Sequence, residues 1–269
     1  MEINNDFSVL MSLYKNELAS NLDDCLYSIQ NQILRPSEIV IVYDGPISEE
    51  VDLVVNKYAK ENNIKKVYLK ENVGLGKALR FGIENCKYDL VARMDTDDIC
   101  NPDRFSKQLN YMKLNPDVDI LGSSVIEFDS HDKREKRLPL KSEDILSYSL
   151  LKNPINHMTV LFRKHKIIKI GSYQHHFYME DYNLWLRAIS RGLVIENMPD
   201  NLVYARVNNN MLKRRRGFNY IKSEFELMKL KLSLNLYPNY KVLLSFLIRV
   251  SVRLLPLCIL SRIYKFDRK

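Results

Sequence analysis

Three acidic residues, Asp95, Asp97 and Asp98, fall within four positions directly behind an apolar segment in the stretch VARMDTDDICNPDR. Carboxylates this close repel one another, so a fold usually keeps them only where a cation or several strong hydrogen-bond donors lie among them. An Asp-x-Asp pattern at a strand end suits a hard divalent cation that neutralises a diphosphate while another carboxylate holds a ribose. The pattern alone is also common in surface loops, so its meaning depends on the elements that position it.

A second acidic pair, Glu180 and Asp181, begins a predicted helix that also carries Trp185. Backbone N–H groups at a helix N-terminus favour the ionised form of both carboxylates, and an ionised carboxylate can act as a general base. Simple N-capping by Asp181 explains the pattern equally well. His157, beside a predicted strand, could bind a metal ion or a phosphate, or could be a packed structural imidazole.

The first hundred residues alternate short apolar segments with amphipathic ones, which predicts strands separated by helices. The predicted strands are FSVLMSLY, EIVIVYDG, KVYL and DLVARM. This order implies right-handed crossovers and an α/β, Rossmann-like fold, with a mostly parallel sheet and helices on both faces. Such sheets bind ligands at the carboxyl ends of their strands, which here are Tyr14, Asp44, Asn72 and the Asp95–Asp98 group. The sequence therefore predicts a nucleotide site built from separate loops.

Less regular elements are predicted beyond Asp98, in a core domain that ends near Val207. They are a helix Asp103–Leu114, a strand VDILGSSVIEF, a solvated turn HDKREKR, a helix Ser142–Leu151, a strand HMTVLFRK, a loop GSYQHHFY and a helix EDYNLWLRAISRG ending at Gly192.

Composition limits the class of protein. The 269 residues carry a formal net charge of +8 and a pI near 9.1, which favours an anionic partner such as a phosphorylated substrate, an acidic lipid or a nucleic acid. Four cysteines, the last being Cys258, lack zinc or disulfide spacing, and the N-terminus has no signal-peptide pattern. These features predict a cytoplasmic protein.

The C-terminal region, 213–269, combines a basic run that includes Arg214 and Arg215 with apolar helices. The apolar segment Tyr240–Leu260 is a marginal membrane span, because each of its two arginines would cost about 2.5–3.5 kcal/mol at the bilayer centre. Its polar residues recur at every fourth position, which is typical of a helix lying in a membrane interface. They are Lys241, Ser245, Arg249 and Arg253. A helix packed on the core or on a dimer partner is the alternative.

Several motifs in order resemble the family 2 inverting glycosyltransferases of GT-A fold, from Phe7 to about Arg216. They are SVLMSLYKNE, IVYDGP, NVGLGKAL, ARMDTDDICNPDRF, NHMTVLFRK and MEDYNLWLR. Among family members the chain looks most like bacterial enzymes of O-antigen and exopolysaccharide assembly, including the amylovoran type. One departure is Tyr43-Asp44-Gly45-Pro46, where many members have two acidic residues and a serine.

The resemblance implies roles for individual residues. Asp44 would accept a hydrogen bond from uracil N3–H, Asp95 would bind the ribose, and Asp97 would coordinate Mn²⁺ or Mg²⁺ on the diphosphate. Asp181 would be the base that activates the acceptor hydroxyl, so that an α-linked donor gives a β-linked product. The nucleotide-sugar site would comprise Ser12, Tyr14, Asp44, Asn72, Gly74, Lys77, Asp95 and Asp97. Contacts to the acceptor or to a diphosphate would come from Glu180, His157, Arg214 and Arg215.

The resemblance also implies a domain organisation and a substrate class. A GT-A catalytic domain would span 1–212, with a nucleotide-binding part at about 1–100 and an acceptor-binding part at about 101–212. A hexose, glucose or galactose, would pass from UDP to GlcNAc or GalNAc on a polyprenyl diphosphate. The enzyme would lie peripherally on the anionic cytoplasmic face of the inner membrane.

Two other classes are open on the sequence alone. A GT-A-like nucleotidyltransferase would be expected to have a Gly-rich basic loop after the first strand. This chain has LYKNELAS at that position. A nucleic-acid-binding protein would explain the basic pI but not the acidic sheet edge, which repels phosphate. We therefore expect no nucleic-acid partner.

Overall fold

A computed structural model describes residues 5–129, 132–207 and 217–254. Arg214, Arg215 and Cys258 lie outside the described residues.

The N-terminal half contains the predicted alternation of strands and helices. Its strands, β1 to β4, are parallel and lie in the order β3-β2-β1-β4. The elements are β1 Ser8–Leu13, α1 Ala19–Gln30, β2 Glu38–Tyr43, α2 Glu49–Ala59, β3 Ile64–Tyr68, α3 Leu75–Asn85 and β4 Leu90–Arg93. All six residues of β2 are buried, as expected of a strand covered by helices on both faces.

The second half extends the same sheet in the order β4-β8-β6-β9-β5, with β7 paired to β6. Here β8 runs antiparallel to β4 and β6, whereas β9 runs parallel to β6. The elements are β5 Ile99–Cys100, α4 Arg104–Leu114, β6 Ile120–Phe128, β7 Lys133–Lys136, α5 Ser142–Tyr148, a 3₁₀ turn His157–Thr159, β8 Leu161–Arg163, α6 Lys164–Lys169, α7 Glu180–Ser190 and β9 Ile195–Arg206.

Three segments differ from the sequence-based expectations. The segment predicted as a solvated turn contains β7, which pairs with β6 and places Arg134 3.1 Å from Glu127. The predicted strand HMTVLFRK has only three residues in β8, since a 3₁₀ turn precedes it and α6 follows it. The twelve-residue β9 was not predicted, because Pro199 and several polar residues interrupt its apolar pattern.

Two helices, α8 Phe218–Leu234 and α9 Asn239–Leu254, complete the described chain. The first packs on α7 in an apolar cluster of Met179, Tyr182, Leu186, Tyr220 and Leu227. The second packs on α8. The α8–α9 pair is therefore in contact with the helix that begins with Glu180 and Asp181.

The polar residues of α9 share one face, as predicted, but only part of that face is turned inward, since Lys241 at its start is exposed. Ser245 is buried, and the Arg249 and Arg253 guanidinium groups lie 2.6 and 3.3 Å from the carboxylate of Glu224 on α8. The opposite face exposes large apolar side chains. They are Tyr240, Leu243, Leu244, Leu247, Ile248 and Leu254. Among the described residues, no helix combines the length and the hydrophobicity that a bilayer crossing requires.

Candidate active site

Carboxylate oxygens of Asp95, Asp97 and Asp98 lie within 4.8 Å of one another, just beyond the end of β4. The buried strand forces them together, because β4 pairs with β1 on one side and β8 on the other. Asp98 Oδ1 accepts a 2.7 Å bond from the Arg206 backbone N–H. Its Oδ2 is buried with no hydrogen-bond partner among the described residues. A cation site requires several oxygen ligands close together. This group provides them, and one of its oxygens lacks a hydrogen-bond partner within the described residues.

The charges of this acidic group are poorly compensated. Burial, then the neighbouring Asp95 and Glu17, raise the pKa of Asp97 to about 6. Burial, together with Asp95 and Asp97, raises the pKa of Asp98 well above its usual range. Both shifts mean that the folded protein disfavours the charged forms, and a bound cation would reverse that preference.

Arg93 is a candidate functional residue that the sequence interpretation missed. It is the last residue of β4, it is only 2% exposed, and its Nη2 donates to Asp95. Its Nε and Nη1 have no hydrogen-bond partner among the described residues. A buried guanidinium is costly unless negative charge surrounds it. An arginine inside the apolar segment LVARM was the available signal.

Arg206 and Glu17 contact the segment that carries the acidic group. Arg206, at the end of β9, donates from Nε to the Asp97 carbonyl at 3.0 Å and from Nη2 to Asp24 at 3.1 Å. Glu17 accepts a hydrogen bond from the hydroxyl of Thr96. Neither residue was expected from the sequence, since each acts across a long chain separation.

Asp44, at the end of β2, organises the neighbouring loop. Its carboxylate accepts from the backbone of Val73 at 2.7 Å and of Gly74 at 3.1 Å, and from Asn72 Nδ2 at 3.0 Å. Gly45 approaches that loop so closely, at φ +84°, that a Cβ would lie 2.7 Å from the Asn72 backbone nitrogen. A carboxylate offers about four acceptor positions, so one remains for a ligand N–H.

The other predicted nucleotide contacts lie on the same edge of the sheet. Ser12 lies near the end of β1 and Tyr14 directly after it, with Tyr14 39% exposed. Gly74 precedes the first turn of α3 at φ +87°, and the exposed Lys77 lies within that turn. These residues lie at the same edge of the sheet, as predicted. Their contact with a nucleotide stays a prediction.

Glu180 and Asp181 occupy the first two positions of α7 and are partly exposed. Asp181 Oδ1 accepts from the Tyr182 backbone N–H at 2.7 Å, and Oδ2 accepts from Asn153 Nδ2 at 2.6 Å. Both bonds favour the ionised carboxylate. Glu180 lies against α3, since a Cβ on Gly76 would be 3.0 Å from the Glu180 Cβ. Asn153 is a further residue that the sequence interpretation missed.

The two acidic groups share one electrostatic environment. Burial, then Asp181, raise the pKa of Glu180 to about 7, and burial also raises the pKa of Asp181. The charge of Arg93 offsets part of each rise, as it does for Asp97 and Asp98. The charge of one buried guanidinium therefore acts on both acidic groups.

His157 is buried in an aromatic environment. Its Nε2 is 2.7 Å from the Tyr173 hydroxyl, and its ring centroid is 6.0 Å from that of Trp185. Burial, then the charge of Arg93, hold the His157 pKa well below its usual range. These are the surroundings of a packed neutral imidazole, and its predicted metal or phosphate contact stays a prediction.

The candidate site combines a group of carboxylates suited to a cation, at the end of β4, with an ionisable carboxylate at the N-terminus of α7. The first can hold a metal with a diphosphate, and the second can accept a proton from a hydroxyl group. This combination is suited to group transfer from a nucleoside diphosphate to an alcohol.

Sequence comparisons identify proteins similar to this chain. Glycosyl transferase family 2 matches residues 8–179. The amylovoran biosynthesis glycosyltransferase AmsE of Erwinia amylovora is 52% identical over 264 residues, covering 98% of this chain and 99% of AmsE. The UDP-Gal:alpha-D-GlcNAc-diphosphoundecaprenol beta-1,3-galactosyltransferase of Escherichia coli is 36% identical over 262 residues, covering 96% and 95% of the two chains.

Solved structures support the fold assignment. S. aureus TarS 1-349 in complex with UDP-GlcNAc superimposes with a TM-score of 0.70 at 18% identity, covering 91% of this chain and 72% of that one. The mannosyltransferase PcManGT of Pyrobaculum calidifontis, in complex with GDP-Man and Mn²⁺, gives a TM-score of 0.64 at 14% identity, covering 96% and 79%. At these identities the likeness concerns the GT-A fold.

Proposed function

Because the chain belongs to glycosyl transferase family 2 and is a glycosyltransferase, we propose that it transfers a hexose from a UDP-sugar, with inversion, to a sugar on a polyprenyl diphosphate. The observation that carries the proposal is the group of three carboxylates, Asp95, Asp97 and Asp98, whose oxygens lie within 4.8 Å of one another at the end of β4. The names of two similar enzymes support the substrate class and a role in exopolysaccharide or O-antigen assembly.

The UDP-sugar donor would bind at the edge of the sheet where the parallel strands end. Asp44 would accept from uracil N3–H with its remaining lone pair, and the loop it holds, Asn72–Gly74, would border the base and the diphosphate. Asp95 would hold the ribose. Ser12, Tyr14 and Lys77 are placed around the nucleotide by their positions on this edge.

Asp97 would hold Mn²⁺ or Mg²⁺, with Asp98 as a further oxygen donor. The donor set fits, since three carboxylates converge and Asp98 Oδ2 is buried without a partner among the described residues. When bound, the ion would supply positive charge to the diphosphate and so stabilise the departing UDP.

Asp181 would act as the base. Its two hydrogen-bond donors, Asn153 and the Tyr182 backbone, favour ionisation, whereas the pKa of Glu180 near 7 leaves that group partly protonated at neutral pH. Asp181 would take the proton of the acceptor hydroxyl as that oxygen attacks C1 opposite UDP, which converts an α-linked donor into a β-linked product. Glu180 would contact the acceptor.

The outward face of α9 would dock on the membrane that carries the acceptor. Six large apolar side chains are exposed on a helix whose opposite face buries Ser245 and pairs two arginines with Glu224, which leaves the apolar face free to lie on lipid. This interpretation replaces the predicted basic stripe, whose arginines pair with Glu224. The proposed location is the cytoplasmic face of the inner membrane.

Turnover of candidate substrates tests the proposal. UDP-Gal and UDP-Glc are each offered with synthetic polyprenyl-diphosphate-linked GlcNAc and GalNAc, in the presence of Mn²⁺ or Mg²⁺. We expect a β-linked disaccharide on one acceptor, and thermal protection by UDP that depends on the metal. Absence of product with all four pairs, together with absence of UDP protection, would contradict the proposal.

A further inference from the structure

A short segment before the 3₁₀ turn is held by side chains from three different helices. The carbonyl of Ser149 accepts from the Tyr182 hydroxyl of α7 at 2.6 Å. The next carbonyl, of Leu150, accepts from Lys231 Nζ of α8 at 2.7 Å, and that of Leu151 accepts from Arg249 Nη1 of α9 at 2.5 Å. Three consecutive backbone acceptors are therefore fixed from outside the segment.

The same segment carries the side chain that touches the proposed base. Asn153, two residues beyond the last of these carbonyls, donates to Asp181 Oδ2 at 2.6 Å. Tyr182, which holds the first carbonyl, directly follows Asp181 and donates its backbone N–H to the other carboxylate oxygen. Asp181 is thus held from both sides by groups that belong to one network.

The two cations of this network, Lys231 and Arg249, are costly to bury. Lys231 is 1% exposed, and its ammonium bonds only to the Leu150 carbonyl and, at 3.2 Å, to the Tyr182 hydroxyl among the described residues. Arg249 pairs with Glu224, and its guanidinium lies 5.4 Å from the centre of the Tyr182 ring. An apolar side chain in place of Lys231 would avoid the desolvation cost. What Lys231 adds, and an apolar side chain could not, is its pair of hydrogen bonds to the Leu150 carbonyl and the Tyr182 hydroxyl.

We propose that Lys231 and Arg249 are positioning residues for sugar transfer, because they fix the 149–153 segment and thereby the Asn153 hydrogen bond to Asp181. The α8–α9 pair is then part of the catalytic apparatus as well as a docking surface. The inference rests on the proposed role of Asp181 as the base. A loosened Asn153 would leave the carboxylate misdirected and would raise its pKa, since it would lose a donor that favours ionisation.

The decisive variants are Lys231→Met and, as a matched control, Lys229→Met, which removes an exposed lysine from the same helix. We expect Lys231→Met to lower kcat about tenfold through misalignment, with KM for the UDP-sugar and UDP affinity within about twofold of wild type. The acid limb of its kcat–pH profile should move to higher pH. Lys229→Met should match wild type. A parallel loss of UDP affinity, or an unmoved acid limb, would overturn the inference.

A double-mutant cycle separates positioning from general loosening. Asn153→Ala should give the same kcat loss and the same pH shift, and adding Lys231→Met to it should cost little more, because both changes act on one contact. Additive losses would contradict the inference. Should Lys231→Met fail to fold, Tyr182→Phe removes only the hydroxyl that holds Ser149 and should show the same pattern more weakly.

Asp181→Asn distinguishes failure of this inference from failure of the proposed function. If Asp181→Asn transfers sugar at the wild-type rate, the base assignment is wrong and the positioning inference fails with it. If Asp181→Asn is inactive while Lys231→Met and Asn153→Ala behave as wild type, the proposed function stands and only the positioning inference is wrong.

Discussion

At the edge of the sheet, Asp95, Asp97 and Asp98 crowd together, and Asp98 Oδ2 lacks a partner among the described residues. Between α8 and α9 the opposite holds, because the carboxylate of Glu224 receives two guanidinium groups, from Arg249 and Arg253. Charge left unsatisfied by the chain indicates a place where a ligand completes the structure. Charge satisfied within the chain indicates a group that holds other groups in place.

The largest effect of a substitution is expected at the sheet edge, among the carboxylates of Asp95, Asp97 and Asp98. Asp97→Asn removes a metal ligand at nearly constant volume, so metal-dependent UDP binding should fall by at least about 100-fold. Calorimetry with UDP and Mn²⁺ measures this, with the exposed Asp117→Asn as control. Unchanged affinity in Asp97→Asn would remove that residue from the metal site.

The same substitution should stabilise the metal-free protein. The folded-state pKa of Asp97 is about 6, above its ordinary 3.8, so stability falls as pH rises through that window and the ionised group is a cost at pH 7. Thermal melting without metal should therefore give a higher Tm for Asp97→Asn than for wild type. A lower Tm would show that the aspartate contributes to the fold rather than to the ligand.

Asp181→Asn should separate binding from chemistry. We expect UDP affinity to persist while transfer falls by roughly 10² to 10⁴, the usual contribution of a positioned base. Turnover and calorimetry on one preparation give both values. Equal losses of affinity and rate would assign Asp181 to donor binding instead.

A smaller effect is expected on the outward face of α9. Leu244→Gln and Leu247→Gln should each weaken binding to anionic vesicles by about tenfold, since burying a leucine contributes about 1.5–3 kcal/mol. Leu114→Gln, at a still more exposed leucine on α4, is the control. Co-sedimentation should retain an apolar component at high salt. Equal binding by all four proteins would exclude this face as the docking surface.

The smallest effect is expected between α8 and α9, in the pH dependence of stability that Lys231 causes. Burial, then Arg249, lower its pKa to about 7 from 10.5, so the unfolded chain binds more protons between these values and stability rises with pH there. The rise is at most about 1.4 kcal/mol per pH unit. Urea unfolding from pH 7.5 to 9 should show this slope in wild type and a shallower one in Lys231→Met. Identical slopes would contradict the shift.

The sequence predicted the features that depend on local pattern. The strands β1 and β2 are largely apolar and buried segments because both of their faces are covered, and the acidic residues that follow β2 and β4 mark one edge. Asn153 and Arg206 could not be predicted, because each acts on a residue far along the chain, whereas Arg93 had a local signal, a charge inside the apolar segment LVARM, that was overlooked. Which face of α9 points outward was also unpredictable, since the periodicity is identical either way.

Glu224 has a consequence for how this protein can change over evolutionary time. A single substitution there would leave Arg249 and Arg253 facing each other in the interior with their shared counterion gone. Variants that pass through such an intermediate would be removed before a compensating change could arise. The two C-terminal helices should therefore be inherited as one block, with their inner faces changing together, while the outer leucines vary freely among apolar residues.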